Sequence, residues 1–238
     1  MSAEQSSSAG TQSGGEILRN DIRKAIELGA DIQNTVRDVT LKAFTRGELD
    51  TASLRRIAGD VLKGAAEGAA NRGAEAKESI QRAAAGLDEA FAKAAEAATL
   101  AAKEASGRMR DFTSGDLRQA MDNLKGMESA FLDSLRDAAK AGRDVASTTL
   151  NAFAEHAANS GSAVGRQVQA SVDQLSGDLG RVAEAQIKSS IETGRATAAL
   201  LARAASGFLA GIAEMIEQRP VKGKPPGDGS GGPAAPGA

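Results

Sequence analysis

All five prolines of this 238-residue chain lie after Arg219, and the first 219 residues contain none. At the average usage of about 5%, a stretch of that length holds roughly eleven. Proline inside a helix costs about 3 kcal/mol, because it lacks the N–H and clashes with the preceding turn. A long stretch without it, in a chain whose commonest residue is alanine (50 copies), reads as helix nearly end to end. The expected fold class is all-α: about four long amphipathic helices in an extended antiparallel bundle or coiled coil, with disordered N- and C-terminal tails.

The core of such a bundle is thin. Leu, Ile, Val and Phe together number 43, about 18% of the chain. The formal net charge is only −2, so the chain is not a disordered polyelectrolyte. Burial contributes about 25 cal/mol per Å² of apolar surface, and alanine offers little of it. Long helices of modest stability follow, or helices completed by self-association or by an external surface. The absence of cysteine removes disulfides and thiolate metal sites. With no Trp or Tyr and a balanced charge, the chain lacks both the stacking platforms and the basic patch of a nucleic-acid binder. No uncharged apolar run reaches the roughly 20 residues of a membrane span. The nearest, 196–216, contains Arg203 and Glu214. The start is rich in Ser, Gly and Gln and carries no secretory signal pattern. A cytoplasmic protein is the expectation.

Composition divides the chain into a tail at 1–15, a helical body at 16–219 and a Pro/Gly-rich tail at 220–238. The first helix is expected from Glu16, with Leu18, Ile22, Ala25, Gly29, Ile32, Val36, Val39 and Ala43 alternating steps of four and three. That is a heptad seam. A turn follows around Gly47, and Asp50 or Thr51 is placed to cap the next helix. From there an apolar stripe advances by eleven: Leu54, Ala65, Ala76, Leu87, Ala98, Met109, with Ala58, Ala69, Ile80, Phe91 and Ala102 beside it. Eleven residues over three turns gives a nearly straight stripe, and proline-free continuity predicts unbroken helix over 63–106. Glu78–Arg82, Glu89–Lys93 and Glu104–Arg108 are spaced for i,i+4 ion pairs. Phe112–Leu117 repeats the pattern of Phe44–Leu49, F-T-x-G-acid-L, and Leu175–Leu179 echoes part of it within a helical register. A third helix runs from Leu117 to the polar cluster Asn159-Ser160-Gly161-Ser162. A last helix carries Ile187, Ile191, Gly194, Ala198, Leu201, Ala205, Phe208, Ile212 and Met215 at heptad spacing and stops at Pro220.

Nothing in this pattern carries catalysis. His156 is the only histidine, and its neighbour Glu155 points to another helix face. A triad or a His-based zinc site therefore has no partners to use. No catalytic, cofactor-binding or metal-binding residue is assigned, and no enzyme is expected. Small residues recur at four-residue spacing at Gly64 and Gly68, at Ala198, Ala202, Ser206 and Ala210, and at Gly207 and Gly211. Such rows let two helix backbones approach closely. The candidate interaction face is the widest apolar stripe: Leu200, Leu201, Ala205, Phe208, Leu209, Ile212, Met215 and Ile216.

The stretch from Asp21–Ile26 through Leu62–Ala65 resembles an uncharacterised proteobacterial family of Ala-rich helical proteins, and Leu87–Ala90, Phe112–Leu117 and Ala163–Gly165 extend the resemblance over most of the body. More loosely, the chain resembles phasins, the helical proteins that coat polyhydroxyalkanoate granules. The shared traits are absent Cys and Trp, long Ala-rich amphipathic helices and a flexible Pro/Gly tail. The resemblance implies a non-enzymatic coat or interaction protein whose partner is a hydrophobic granule or lipid surface. Two alternatives stand beside it. One is a self-associating structural coiled coil, a homo-oligomer with its seams satisfied by its own copies. The other is a stress-protective hydrophilic helical protein, which 63–106 also resembles.

Overall fold

The computed structural model describes residues 3–46, 49–108, 113–188 and 209–210, with backbone alone at 3–13, 108 and 180–188. Among these residues the chain is all-α, a bundle without strands. Seven helices are described: α1 (Ala3–Leu28), α2 (Ile32–Arg46), α3 (Thr51–Ala69), α4 (Ala76–Arg108), α5 (Ser114–Ala141), α6 (Asp144–Ser160) and α7 (Ala163–Lys188). Helix thus begins at Ala3, ahead of the expected start at Glu16. The expected tail at 220–238 lies outside the described residues, as do the turn residues 47–48 and 109–112.

The stretch expected as about four helices is divided by short breaks that use no proline. Gly29 adopts φ +73°, which a residue with a Cβ resists, and it ends α1 in the middle of the heptad seam. The expected continuous helix over 63–106 is likewise interrupted. α3 ends at Ala69, a turn and a short 3₁₀ segment (Gly73–Glu75) follow, and α4 starts at Ala76. Asn71 and Gly73 lie in that break, and both favour turns for reasons separate from proline's. The third expected helix is split at 142–143 into α5 and α6, and its end at Ser160 is where the polar cluster placed it. The Leu175–Leu179 echo lies within α7.

Caps fix the helix starts. The Asp50 carboxylate accepts the N–H groups of Ala52 (2.9 Å) and Ser53 (3.0 Å) at the head of α3. At α5, Thr113 Oγ1 accepts the Asp116 N–H (3.2 Å) while Asp116 Oδ2 accepts the Thr113 N–H (2.8 Å), a reciprocal capping box. Both F-T-x-G-acid-L stretches therefore lead into a capped helix.

Contacts between helices set their directions. Gly15 lies against Asp60, Arg19 against Gly64 and Arg23 against Gly68, so α1 and α3 run parallel in step. Thr51 lies beside Gly126 and Arg55 pairs with Asp133, which makes α3 and α5 parallel. On the other side, Gln33 meets Gly86 and Phe44 meets Phe91, so α2 follows α4. Asp88 meets Ala163 and Thr99 meets Ser171, so α4 follows α7. Met121 meets Ser176 while Glu128 meets Gly165, so α5 opposes α7. The bundle is therefore two layers, α1-α3-α5 and α2-α4-α7, running in opposite senses, with α6 against α4 and α5.

The eleven-residue stripe is the inner face of this stack. Leu54, Ala58, Ala65, Ala69, Ile80, Leu87, Phe91 and Ala102 are all buried, on both sides of the break. The large side chains at the centre are Phe44, Phe91 and Phe131, each fully buried and drawn from α2, α4 and α5. Around them α4 supplies mostly alanine, including Ala83, Ala84, Ala90, Ala94, Ala95 and Ala102. Of the expected i,i+4 pairs, Glu78–Arg82 forms at 2.5 Å. Glu89 instead reaches across to α2, accepting from Gln33 (2.6 Å) and Arg37 (3.3 Å), and Lys93 pairs with Glu96.

Candidate functional site

Among the described residues no cluster of His, Cys, Asp or Glu is arranged to hold a metal ion. His156 is exposed on α6, with the Ser160 hydroxyl 3.4 Å from its Nδ1. Two other features have functional geometry: a groove between α3 and α5, and a polar seam between α4 and α7.

The groove follows from the way α3 and α5 diverge. They are close where the first turns of α3 meet α5 from its middle onward: Thr51 Oγ1 lies 3.2 Å from the place a Gly126 Cβ would occupy, and the Arg55–Asp133 ion pair ties them. Beyond that pair a space of about 890 Å³ opens between them. Leu62, Ala69, Ile80 and Ala138 line its apolar part, and Val145 at the start of α6 stands at its end, 45% exposed. Charges of both signs surround it: Arg56, Asp60, Lys63, Asp137 and Arg143. Burial pushes the Asp60 carboxyl above its usual value, against the pull of Lys63, Arg56 and Arg19. An apolar floor with a mixed-charge rim suits an apolar partner better than a charged substrate.

The α4–α7 seam is built around Asp88. Its carboxylate, buried at 7% exposure, accepts the backbone N–H groups of Ala163 (2.7 Å) and Val164 (2.9 Å). An acidic side chain of one helix thus satisfies the free donors that begin another. Ser162 Oγ accepts a third, from Gly165 (2.9 Å). Three turns further along α4, the Thr99 hydroxyl bonds both the Ala95 carbonyl and the Ser171 hydroxyl, each at 2.7 Å.

Burial raises the Asp88 carboxyl above its ordinary value of 3.8, outweighing the two N–H bonds and the Arg166 charge, with Glu89 adding to the rise. Glu128 of α5 also lies close, beside Gly165. Because the folded value lies above the unfolded one, the stabilisation linked to this proton is full below 3.8 and is lost as pH rises through the folded value. Asp88→Asn carries no such dependence. Its cost relative to wild type, measured by denaturant unfolding, is expected to be larger at pH 4 than at pH 7. A cost that grows toward pH 7 would contradict this.

The sequence did not single out Asp88 as a site, although a signal is there. It stands four residues after Ala84 and three before Phe91, on the buried side of α4. An acidic residue framed by core positions needs a partner, and here the partner is a helix start. Of the expected interaction face, Leu209 is fully buried, packed into the main core. Leu200, Leu201, Ala205, Phe208, Ile212, Met215 and Ile216 lie outside the described residues. No described helix is long and apolar enough to cross a membrane.

The model of a family described as "Family of unknown function (DUF6781)" matches residues 8–218, stopping two residues before Pro220. No curated protein and no solved structure matches the chain. The match spans all seven helices except the first turns of α1, and on that ground the chain belongs to the DUF6781 family.

Proposed function

We propose that this protein is a non-enzymatic helical interaction protein of phasin-like type. It would coat an apolar lipid or polyester surface in the cytoplasm by turning apolar helix faces outward. The observation that carries this reading is how lightly the apolar stripes are sealed. The helices bury apolar faces in a shared core, yet the central helix α4 closes its own face largely with alanine. Parting such a seam exposes little area and costs correspondingly little. The groove between α3 and α5 supports the same reading, because there two helices already stand apart over an apolar floor. Among the described residues the exposed large apolar side chains, Ile17, Leu28, Leu100 and Val145, are scattered and form no face of their own. For these helices to meet a flat surface with their apolar faces, the bundle has to open.

The test is sedimentation of the full chain with phosphatidylcholine vesicles and with polyhydroxybutyrate particles, followed by circular dichroism. Saturating binding with retained helicity is expected on at least one of them. Leu201→Lys and Phe208→Lys are each expected to weaken binding roughly tenfold, the value of one large apolar side chain. Failure to partition onto either surface sinks the proposal, and a concentration-dependent melting transition would favour self-association instead.

A further inference from the structure

The seams of the bundle differ in chemistry. Between α2 and α4 the buried contact is apolar, Phe44 against Phe91 with Ile32, Val36 and Leu41 in the same core, and the polar contacts of Gln33 and Arg37 with Glu89 lie at its half-buried edge. Between α4 and α7 it is mixed. Among the described residues ten polar side chains are buried, and four of them, Asp88, Thr99, Ser162 and Ser171, belong to this one seam. Among its described side chains α7 buries Val164, Val168 and Leu175, with Val172 and Leu179 partly buried against the core. On the α5 side α7 meets Met121, whose sulfur accepts from the Ser176 hydroxyl at 3.6 Å.

Buried polar pairs contribute little to holding helices together, because water replaces both partners when they separate. An apolar seam has no such replacement. Of the two outer helices that pack on α4 within its layer, α2 thus buries apolar side chains at the centre of its contact, while α7 shares its buried contact between apolar side chains and hydrogen bonds. Those bonds are concentrated at the start of α7, where Asp88 takes two of its free N–H groups. The connection from α6 is only residues 161–162, so α7 pivots there if it leaves. In sequence α7 leads directly to the apolar stretch 196–216. Leu209 in that stretch is buried in the core.

We propose that α7 is the element that parts from the body, and that Asp88 is the latch holding its N-terminus closed. This rests on the coat reading for its purpose, but the opening itself is measurable with no surface present.

Hydrogen exchange of the full chain, followed by mass spectrometry in buffer alone, tests it. Amides of 163–188 are expected to exchange through a local opening, faster than those of α3 and of residues 76–95 in α4. Asp88→Ala is expected to speed α7 exchange by roughly tenfold while leaving α1 to α3 unchanged. The double variant Thr99→Val with Ser171→Ala, which replaces both partners of a buried pair by apolar groups, is expected to leave α7 exchange unchanged or slower. If α7 exchanges no faster than α3, or if Asp88→Ala speeds every helix alike, the latch is overturned. If Asp88→Ala does not fold, the wild-type comparison and the double variant still decide. Local opening of α7 without particle binding would remove the coat reading and leave the latch standing.

Discussion

Phe91→Ala is expected to lower the unfolding free energy by about 3–5 kcal/mol. Phe91 is fully buried on α4, with Phe44 of α2 edge-on at 5.3 Å and Phe131 of α5 tilted at 5.7 Å. One ring thus joins three helices from both layers, and its loss also removes two aromatic contacts worth about 0.5–1.5 kcal/mol each beyond their area. The neighbourhood makes the cost hard to relieve. Cavities shrink when flexible neighbours move in, but of the residues beside Phe91 on α4, Ala90, Ala94 and Ala95 have nothing to extend, and Leu87 is itself fully buried in the core. In a domain of typical stability, about 5–15 kcal/mol, this is a large share from one side chain. Denaturant unfolding with circular dichroism measures it, with Leu100→Ala as an exposed comparison that is expected to change little. A loss under about 1 kcal/mol at Phe91 would mean that the three-phenylalanine centre does not hold the layers together.

The same centre shows how far the sequence could be read. Apolar spacing identified the inner positions, because an amphipathic stripe records which side of a helix avoids water. Leu18, Ile22, Ile32, Val36, Leu54, Ile80, Leu87 and Phe91 are all buried. Spacing did not reveal where helices end. The stripe continues in register across Gly29 and across the turn before Ala76, so periodicity runs on while the backbone turns back. Absence of proline permits helix without demanding it, and Asn and Gly made the breaks. The parallel order within each layer was also hidden, since any apolar stripe can meet any other and only shape selects the pairing. The candidate site was barely legible. The groove depends on how α3 and α5 diverge, which has no sequence pattern. Asp88 had one, a carboxylate between core positions, but its partner lies 75 residues away in the chain. Gly64 and Gly68 were more legible: their spacing foretold close backbone approach, and α1 is what approaches.

That approach yields a prediction in which sequence and packing disagree in sign. By helix propensity alone, Gly64→Ala stabilises α3 by about 1 kcal/mol, because alanine loses less backbone freedom. In the folded chain the new Cβ would stand 2.4 Å from the carbonyl oxygen of Arg19, a backbone atom that no side-chain rotation can move aside. One turn along, a Cβ at Gly68 would stand 2.7 Å from the Arg23 carbonyl oxygen and equally close to the Ile26 Cβ, so α1 cannot tilt away at one end without closing on the other. Overpacking of this kind costs about 1–3 kcal/mol for a small addition and more for a large one. Gly64→Ala is therefore expected to be destabilising despite the better helix former. Gly64→Leu is expected to cost about 3 kcal/mol or more and to separate α1 from α3, breaking the Arg19–Glu67 ion pair that braces them. Hydrogen exchange should then show α1 losing protection while α4 and α5 keep theirs. Gly59→Ala on the same helix is the control, since a Cβ there meets nothing within 4 Å and only the propensity gain remains. If Gly64→Ala and Gly59→Ala both stabilise by a similar amount, α1 does not lie against Gly64, and the α1-α3-α5 layer is wrong at its first step.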